Sequence, residues 1–335
     1  MDFSCIAGPV VLAGVYLTPP LTMRSEDGDV QSMSLQWEND TFIGSNDKNY
    51  TNGVRFGWAM KKGKKPPFFG KAVKMLFPKD AKGDDELLYS LFLGQNMYTP
   101  SDISIVTPQP NDRPYAGWTY MGGGITLKKG RSFHAMEVDI GIIGPASGAG
   151  KAQRWWHDCR NLQTPRGWQN QIGNEPGLIV SYEVGKSSKI TKMPFGLQGD
   201  VTGSAGVSLG NVYTHLKGGA IFRLGSNLTR DYSAPTRIRP SIPGSDIHLG
   251  TGMDFTLFTG FEARVVGWNT FLDGSLFDSS SPSVDSKTLV SDFIVGATWY
   301  INSIRLSYTH TFRSQEFVGA IGSNNFGSLN LSWRF

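Results

Sequence analysis

The chain has 335 residues, of which 41 are glycine, 12% are aromatic and 18% are charged. This composition excludes a disordered chain, which would combine high charge with few aromatic residues. It also excludes a coiled coil, which would be rich in Ala, Glu, Lys and Leu. A mean hydropathy of −0.23, with no long apolar run after residue 23, excludes a polytopic helical membrane protein. The net charge of +4 is too small to predict nucleic-acid binding by itself, and we expect none.

The N-terminal residues predict a signal peptide over residues 1–26. Residues 3–23 carry no charged side chain, and their apolar core is typical of the hydrophobic region of a secretory leader. Asp2 stands where a basic residue is expected and no Ala-x-Ala cleavage site is evident, so a buried N-terminal segment is the alternative. Export leaves Cys159 as the only thiol of the mature chain, which excludes a disulfide framework and a cysteine-based zinc site.

Apolar and polar residues alternate along many segments of the chain. In Leu329–Phe335 the odd-numbered residues are apolar and the even-numbered residues are polar. The same period of two occurs in Val54–Met60 and Leu178–Val184, and it predicts strands with one apolar and one polar face. We place strands at residues 31–39, 51–60, 87–98, 116–127, 132–143, 177–186, 196–209, 212–225, 253–266, 288–301, 303–313 and 325–335.

Twelve such strands favour an outer-membrane barrel over a soluble sandwich, which would show the same alternation. Most are close to the ~9–11 residues that a tilted strand needs to cross a bilayer. The apolar faces are rich in Trp, Tyr and Phe, as interfacial girdles require, and the last strand ends on the aromatic Phe335. We therefore expect residues 27–335 to form an all-β fold. The expected fold is a transmembrane antiparallel β-barrel of about 12 strands with a short extracellular helix.

Alternate connections between antiparallel strands lie at the same end of a barrel. If the N-terminus is periplasmic, the first, third and fifth connections are extracellular; these are residues 40–50, 99–115 and 144–176. The densest polar motifs of the chain fall in or beside these three. The eight lysines of residues 61–84 fall in the second, periplasmic connection, where we expect a solvated turn or a contact with anionic lipids.

The first two motifs place acids, amides and an arginine beside strand ends. Asn39 and Asp40 close the first strand, and Thr51 opens the second. Asn-Asp pairs are also common turn residues, so Asp40 could simply cap a turn. In the second motif, Arg113 follows Asp112 and could remain inside the barrel mouth, paired with that or another carboxylate.

In the third motif the periodicity changes from strand to helix. Residues 150–162 predict a short helix after the Gly-Pro-Ala-Ser sequence, and Gln153 and His157 lie on one face at positions i and i+4. Trp155 and Trp156 could dip toward the lipid interface. The alternative is an amphipathic helix on the barrel rim with an incidental histidine.

Taken together, the motifs resemble the lipid A 3'-O-deacylase family of Gram-negative outer membranes. They occur in the order of the family, and the similarity runs from about residue 31 to the end of the chain. The matching segments are Glu38-Asn39-Asp40, Tyr50-Thr51-Asn52-Gly53, Asp112 to Trp118, Gly144-Pro145, Gln153-x-x-x-His157 and Trp168-x-x-Gln171.

This resemblance implies a twelve-stranded outer-membrane enzyme that hydrolyses an ester-linked acyloxyacyl chain of lipid A with the help of Ca2+. Lipopolysaccharide in the outer leaflet would be its partner, and we expect a monomer. The functional Asn-Asp pair of the family maps to Asn39 and Asp40. The functional threonine maps to Thr51, and the functional glutamine and histidine map to Gln153 and His157.

The chemistry of these residue types agrees with ester hydrolysis. A histidine with a reference pKa near ~6.5 can take a proton from water near neutral pH, so His157 is a candidate general base. Asp40 supplies a hard oxygen ligand, which suits Ca2+. Asn39 and Gln153 offer amide groups that could orient the carbonyl, the water or the metal shell. Arg113 is the candidate for neutralising a lipid phosphate.

Two other functions remain open from the sequence. A passive porin or adhesin would use the same barrel but would not need an Asn-Asp pair and a Gln-x-x-x-His helix at one end. An outer-membrane phospholipase with a Ser-His-Asn site could draw its histidine from His134, His215 or His310. No serine near them has a recognisable partner at useful spacing, which makes the phospholipase less favoured.

Overall fold

The computed structural model describes residues 30–43, 49–60, 86–228, 236–238, 252–322 and 324–335. The expected signal peptide and the lysine-rich segment 61–84 lie outside the described residues. The described residues form one antiparallel sheet that closes on itself.

Twelve long strands build this sheet, and each pairs with its neighbours in chain order. They are β1 Val30–Asn39, β2 Asn49–Met60, β3 Glu86–Thr99, β4 Ala116–Lys129, β5 Ser132–Ile143, β6 Glu175–Ser187, β7 Gln198–Gly210, β8 Tyr213–Gly225, β9 Gly252–Asn269, β10 Leu289–Asn302, β11 Ile304–Arg313 and β12 Asn324–Arg334. An additional two-residue strand, Thr191–Lys192, pairs with the start of β7. The twelve predicted strands are confirmed, with boundaries that differ by only a few residues.

The barrel closes where the first and last long strands meet. β1 pairs with β12 from Ser32 opposite Arg334 to Asn39 opposite Gly327. Closure leaves no strand edge in the bilayer, where an unpaired backbone group would cost several kcal/mol. The closed barrel, rather than a sandwich of two sheets, is therefore the architecture that the alternation produces.

Most outward side chains of the strands are apolar and exposed, whereas most inward side chains are polar and buried; a cluster that includes Trp118, Tyr120 and Phe271 is a buried apolar exception. Ion pairs fill the described part of the lumen: Arg55 Nη2 lies 2.9 Å from Glu137 Oε2, and Lys217 Nζ lies 2.7 Å from Glu183 Oε2. These pairs join strands that are not neighbours, so they cross the interior.

The upper end of the barrel, which we define as the end where β1 finishes, carries the first, third and fifth connections, as the strand parity predicts. One 12-residue helix, α1 Ala149–Arg160, lies there, close to the predicted 150–162. A second helix, α2 Thr270–Asp273, has four residues. Within the described part of the chain, no helix has the length and apolar character needed to cross a bilayer.

Candidate active site

A small cavity of about 70 Å³ lies outside the barrel wall, between β1, β2, β3 and helix α1. Four of the residues predicted to be catalytic line it, namely Asn39, Thr51, Gln153 and His157. The remaining lining residues are Trp37, Asn52, Val54, Gln95, Met97, Ala152, Trp156 and Leu162. Residues separated by more than a hundred positions in the sequence thus meet at one place, on the lipid-facing side of the barrel.

The upper ends of β1 and β2 present the first two of these residues. Asn39 is the last residue of β1, pairs with Asn52 of β2, and follows the inward-facing Glu38. The register between β2 and β3 shifts between Tyr50 and Asn52, so Thr51 lies at a β-bulge. Bulges of this kind re-aim a side chain and are common beside active sites.

A hydrogen bond holds Thr51 at the bulge. Its Oγ1 lies 2.6 Å from Oγ1 of Thr99, and both residues are buried. The tether orients the Thr51 hydroxyl at the floor of the cavity. Thr99 ends β3; it belongs to the second polar motif of the sequence but was not predicted to be a site residue.

Helix α1 docks on the outer face of β3 and β4 through a turn that precedes it. The carbonyl oxygen of Ser147 accepts hydrogen bonds from Gln95 Nε2 and Thr119 Oγ1, each at 2.7 Å. Gly117 of β4 allows the close approach, because a Cβ there would lie 2.3 Å from both Ala149 Cβ and Ser147 Oγ. This anchoring carries the polar face of α1 over the end of β1.

Gln153 is oriented by an indole group. Trp168 Nε1 donates to Gln153 Oε1 at 2.7 Å, and an indole N–H can only donate, which assigns the amide oxygen. The amide nitrogen Nε2 is buried and has no hydrogen-bond partner among the described residues. Gln153 therefore brings to the cavity a pre-oriented donor whose hydrogens are available to a ligand oxygen.

His157 lies near the end of α1 with 3% of its surface exposed. Its Nδ1 is 2.5 Å from the carbonyl oxygen of Gln163, just beyond the left-handed Asn161 that ends the helix. A carbonyl oxygen can only accept, so Nδ1 carries the proton and Nε2 holds the lone pair of the neutral ring. This tautomer is the one in which Nε2 can act as a base.

Aromatic side chains form the wall of the cavity toward the bilayer. The rings of Trp37 and Trp156 meet edge to face with centroids 6.1 Å apart, and Trp37 also contacts Phe42 at 4.9 Å. These half-buried tryptophans bring apolar surface next to the polar groups of the site. Trp156, which the sequence suggested could dip toward the lipid interface, contacts Trp37 at this wall.

Asp40 begins a short 3-10 turn, Asp40–Ile43, directly after Asn39, and its side chain is buried. The oxygens of Asp40 and Asn39 are hard donors of the kind that Ca2+ prefers. No group of three or more His, Cys, Asp or Glu residues suitable for a metal occurs in the described ranges. The oxygen atoms of Asp40 and Asn39 thus suit Ca2+ in chemical type. Because Asp40 is the only carboxylate of this pair, waters or substrate oxygens would complete the coordination shell of the ion.

Arg113 lies in the barrel interior rather than in the cavity. Its side chain is 1% exposed, its Nη1 is 3.5 Å from Glu316 Oε2, and its guanidinium lies over the Tyr98 ring at 5.1 Å. Burial alone would raise the pKa of the Glu316 carboxyl, but the nearby arginines, Arg313 first among them, and a hydrogen bond from Asn324 together hold that pKa below its usual value. Arg113 has almost no exposed surface, and these contacts agree with the structural role that the sequence left open; its binding of a lipid phosphate stays a prediction.

The histidines considered for a phospholipase site, His134, His215 and His310, lie in strands; among the described residues, His157 is the one histidine that lines this cavity. His134 Nδ1 is 2.8 Å from the Tyr182 hydroxyl, and the ring of His310 lies edge to face with Phe312 at 4.4 Å. Both residues are in strands. This arrangement provides no support for a Ser-His-Asn site built on them.

Comparison with protein families identifies the chain. A family model described as outer membrane protein LpxR matches residues 10–335, nearly the whole length. The chain belongs to the LpxR family. This match confirms the resemblance to the lipid A 3'-O-deacylases, and it assigns the chain to the Gram-negative outer membrane as a deacylase in the general sense of that family.

One solved structure supports the fold. LpxR from Salmonella typhimurium superposes with a TM-score of 0.74 at 21% identity, covering 91% of this chain and 100% of that one. The β domain of the Bordetella autotransporter BrkA follows with a TM-score of 0.46 at 7% identity, covering 92% of this chain and 100% of that one. A comparison with curated proteins finds no match.

Proposed function

We propose that this protein hydrolyses an ester-linked acyloxyacyl chain of lipid A in the cavity under α1, with His157 activating the water. The observation that carries this proposal is the convergence of His157, Gln153, Asn39 and Thr51 on one cavity that faces lipid. Attack of water on an ester carbonyl needs a general base for the water and a hydrogen-bond donor for the oxyanion, and this cavity has both.

In the proposed reaction, His157 Nε2 takes a proton from water while the water oxygen bonds to the ester carbonyl carbon. The carbonyl oxygen becomes an oxyanion, which accepts a hydrogen bond from Gln153 Nε2. The carbon–oxygen bond to the leaving alcohol then breaks, and the imidazolium returns its proton to that oxygen. The products are a free acyloxyacyl acid and a lipid A that has lost that acyloxyacyl chain, and no covalent enzyme intermediate forms.

Asn39 and Thr51 have positioning and hydrogen-bonding roles in this proposal. The hydroxyl of Thr51 is held by Thr99, so its remaining capacity can orient the attacking water or the ester. The Asn39 amide stands beside Asn52 at the same level of the barrel wall. Both groups are neutral and therefore add no charge that would oppose the developing oxyanion.

The size and position of the cavity suit a substrate that stays in the bilayer. A space of about 70 Å³ admits a water molecule and an ester group but not a whole lipid. Beside it, a groove of about 690 Å³ on the outer wall is lined by Leu93, Met121, Ile140, Leu178 and Phe277, among others. Leu93 is two residues from Gln95 on the same face of β3, so an acyl chain along this groove would lie next to the cavity.

We propose Asp40 as the protein carboxylate that binds Ca2+ at this site, with the Asn39 side-chain oxygen as a second donor. The support is the oxygen donor type and the position of Asp40 directly after a cavity residue. A bound Ca2+ would polarise the ester carbonyl and favour the oxyanion. The general base, His157, and the amide donor, Gln153, are side chains of the protein, and their roles do not require the ion.

The test is incubation of the purified protein in detergent with lipid A or with glycerophospholipid, with and without Ca2+, followed by mass spectrometry. The expected result is the Ca2+-dependent loss of one ester-linked acyloxyacyl chain from lipid A, with no hydrolysis of glycerophospholipid. Hydrolysis of glycerophospholipid would indicate a phospholipase instead. No product from either lipid would indicate a passive barrel and would refute the proposed function.

A further inference from the structure

Three residues of the connection between β8 and β9 lie inside the barrel. Thr236, Arg237 and Ile238 are each at most 2% exposed. Arg237 binds the far wall, with Nη1 2.8 Å from Asp292 Oδ2 and Nη2 3.0 Å from Glu262 Oε1. A segment that starts at the end of the barrel opposite the site is thereby held within the lumen.

The other side of this luminal segment, residues 236–238, contacts the strands that carry the site. The backbone N–H of Ile238 donates to Glu38 Oε1 at 2.6 Å. Ser328 Oγ of β12 lies 2.8 Å from the same Glu38 oxygen and 2.9 Å from the Thr236 carbonyl oxygen. The luminal segment therefore bridges β1 and β12 from inside, one residue before β1 ends.

Contacts with β2 reinforce this bridge. Gly53, which pairs with Glu38, has Ile238 Cδ1 only 3.1 Å from the position that a Cβ would occupy. The next pair along the ladder is Asn39 with Asn52, and both of these side chains line the cavity on the outside. The luminal segment and the cavity thus lie on opposite faces of the same piece of barrel wall.

We propose that the luminal segment fixes the catalytic geometry from within the barrel, with Glu38 as the positioning residue for Asn39. Successive residues of a strand point to opposite faces, so a bond that holds Glu38 inward also sets the direction of Asn39 outward. β1 stops at Asn39 and turns at Asp40, so the ladder beyond it cannot supply this restraint. The inference rests on the proposed function, because it assigns Asn39 to the reaction.

The tests are Glu38→Ala and Glu38→Gln. Glu38→Ala removes the acceptor of the Ile238 N–H, and a displacement of a reacting group by about 1 Å can cost ~10²-fold in rate. We expect kcat to fall by ~10- to 100-fold with KM within ~3-fold of wild type. Glu38→Gln keeps an oxygen acceptor at the same place, so it should restore kcat to within a few-fold.

Asp200→Ala is the matched control, since Asp200 is also a buried luminal carboxylate, paired with Arg223 away from the cavity. It should retain kcat, and all variants should show the heat-modifiable gel migration of a folded barrel. Equal losses of kcat in Asp200→Ala and Glu38→Ala would overturn the proposal in favour of general loosening. Unchanged kcat in Glu38→Ala would also overturn it.

Hydrogen exchange gives a readout that does not depend on activity. The backbone amides at the end of β1 and at its partner positions in β2 should exchange faster in Glu38→Ala and remain protected in Glu38→Gln and Asp200→Ala. If wild-type protein releases no fatty acid, the proposed function fails, and this exchange pattern still decides whether the luminal segment holds the strand. Equal protection in wild type and Glu38→Ala refutes the holding role.

Discussion

The variant Gln153→Glu tests the amide donor of Gln153 without disturbing the structure around it. The variant keeps the side-chain length and the oxygen that accepts from Trp168 Nε1 at 2.7 Å, so the contact between α1 and Trp168 is preserved. It replaces the buried Nε2, which has no partner in the described structure, with a second oxygen. In the ionised form this oxygen cannot donate to an oxyanion and repels it.

The expected loss follows from two contributions. Removing one oxyanion donor costs ~10²- to 10³-fold in kcat. A carboxylate about 4 Å from the oxyanion adds roughly 4 kcal/mol of repulsion at an effective dielectric constant of ~20, or a further ~10³-fold. By contrast, Trp168→Phe removes the bond that orients the amide, together with part of a buried ring. The bond is worth ~0.5–1.5 kcal/mol, so its loss should reduce kcat by ~2- to 13-fold.

The assay is the initial rate of fatty acid release from lipid A in detergent at pH 8–9, where the new carboxyl is most ionised. Gln198→Glu is the control, because its Oε1 similarly accepts a bond, from Leu228 N at 2.9 Å, at the opposite end of the barrel. It should keep near-normal kcat. If Gln153→Glu stays within ten-fold of wild type, or loses no more than Trp168→Phe, Gln153 does not stabilise the oxyanion.

The remaining predictions concern the base, the metal, the topology and the groove. His157→Asn should lose ~10²- to 10⁴-fold in kcat with little change in KM, whereas His134→Asn stays near normal. Wild-type kcat should rise with pH through the histidine pKa in the complex, because the base must be neutral, and a flat profile from pH 5 to 9 would contradict this. Asp40→Ala or excess chelator should abolish hydrolysis while the barrel stays folded; full activity in chelator would exclude a Ca2+ mechanism. A protease site inserted after Leu162 should be cut from outside intact cells and one at the exposed Phe195 should be protected; the reverse pattern would put the cavity on the periplasmic side. Leu178→Trp should raise the KM for lipid A ~5-fold or more by filling the groove. Leu257→Trp is the control and should leave KM unchanged, because Leu257 is similarly exposed (47%, against 44% for Leu178) but does not line the groove. Equal KM values for the two variants would mean that acyl chains do not use the groove.

The barrel could be predicted from the sequence because its main determinant is local. Each strand must cover lipid on one face and pack the lumen on the other, so the period of two appears in the residues themselves. Because alternate connections between antiparallel strands lie at the same end of a barrel, the strand order also predicted that the three connections with polar motifs lie at one end. The helix was also predictable, since Gln153 and His157 need only a period of 3.6 residues to share a face. Their assignment to catalysis remains a prediction, although the structure brings them together.

The details that depend on contacts distant in sequence were decided by the tertiary structure alone. The sequence suggested that Arg113 neutralises a lipid phosphate, but it could not show that Arg113 contacts Glu316, which is 203 positions away. The bond between Thr51 and Thr99 depends on a bulge whose position is set by pairing between two strands. Likewise, the contact of Glu38 with Ile238 spans 200 positions and passes through the lumen. Local periodicity thus determines which face of a strand a side chain occupies, whereas its partner is selected only when the closed barrel brings distant segments within hydrogen-bond distance.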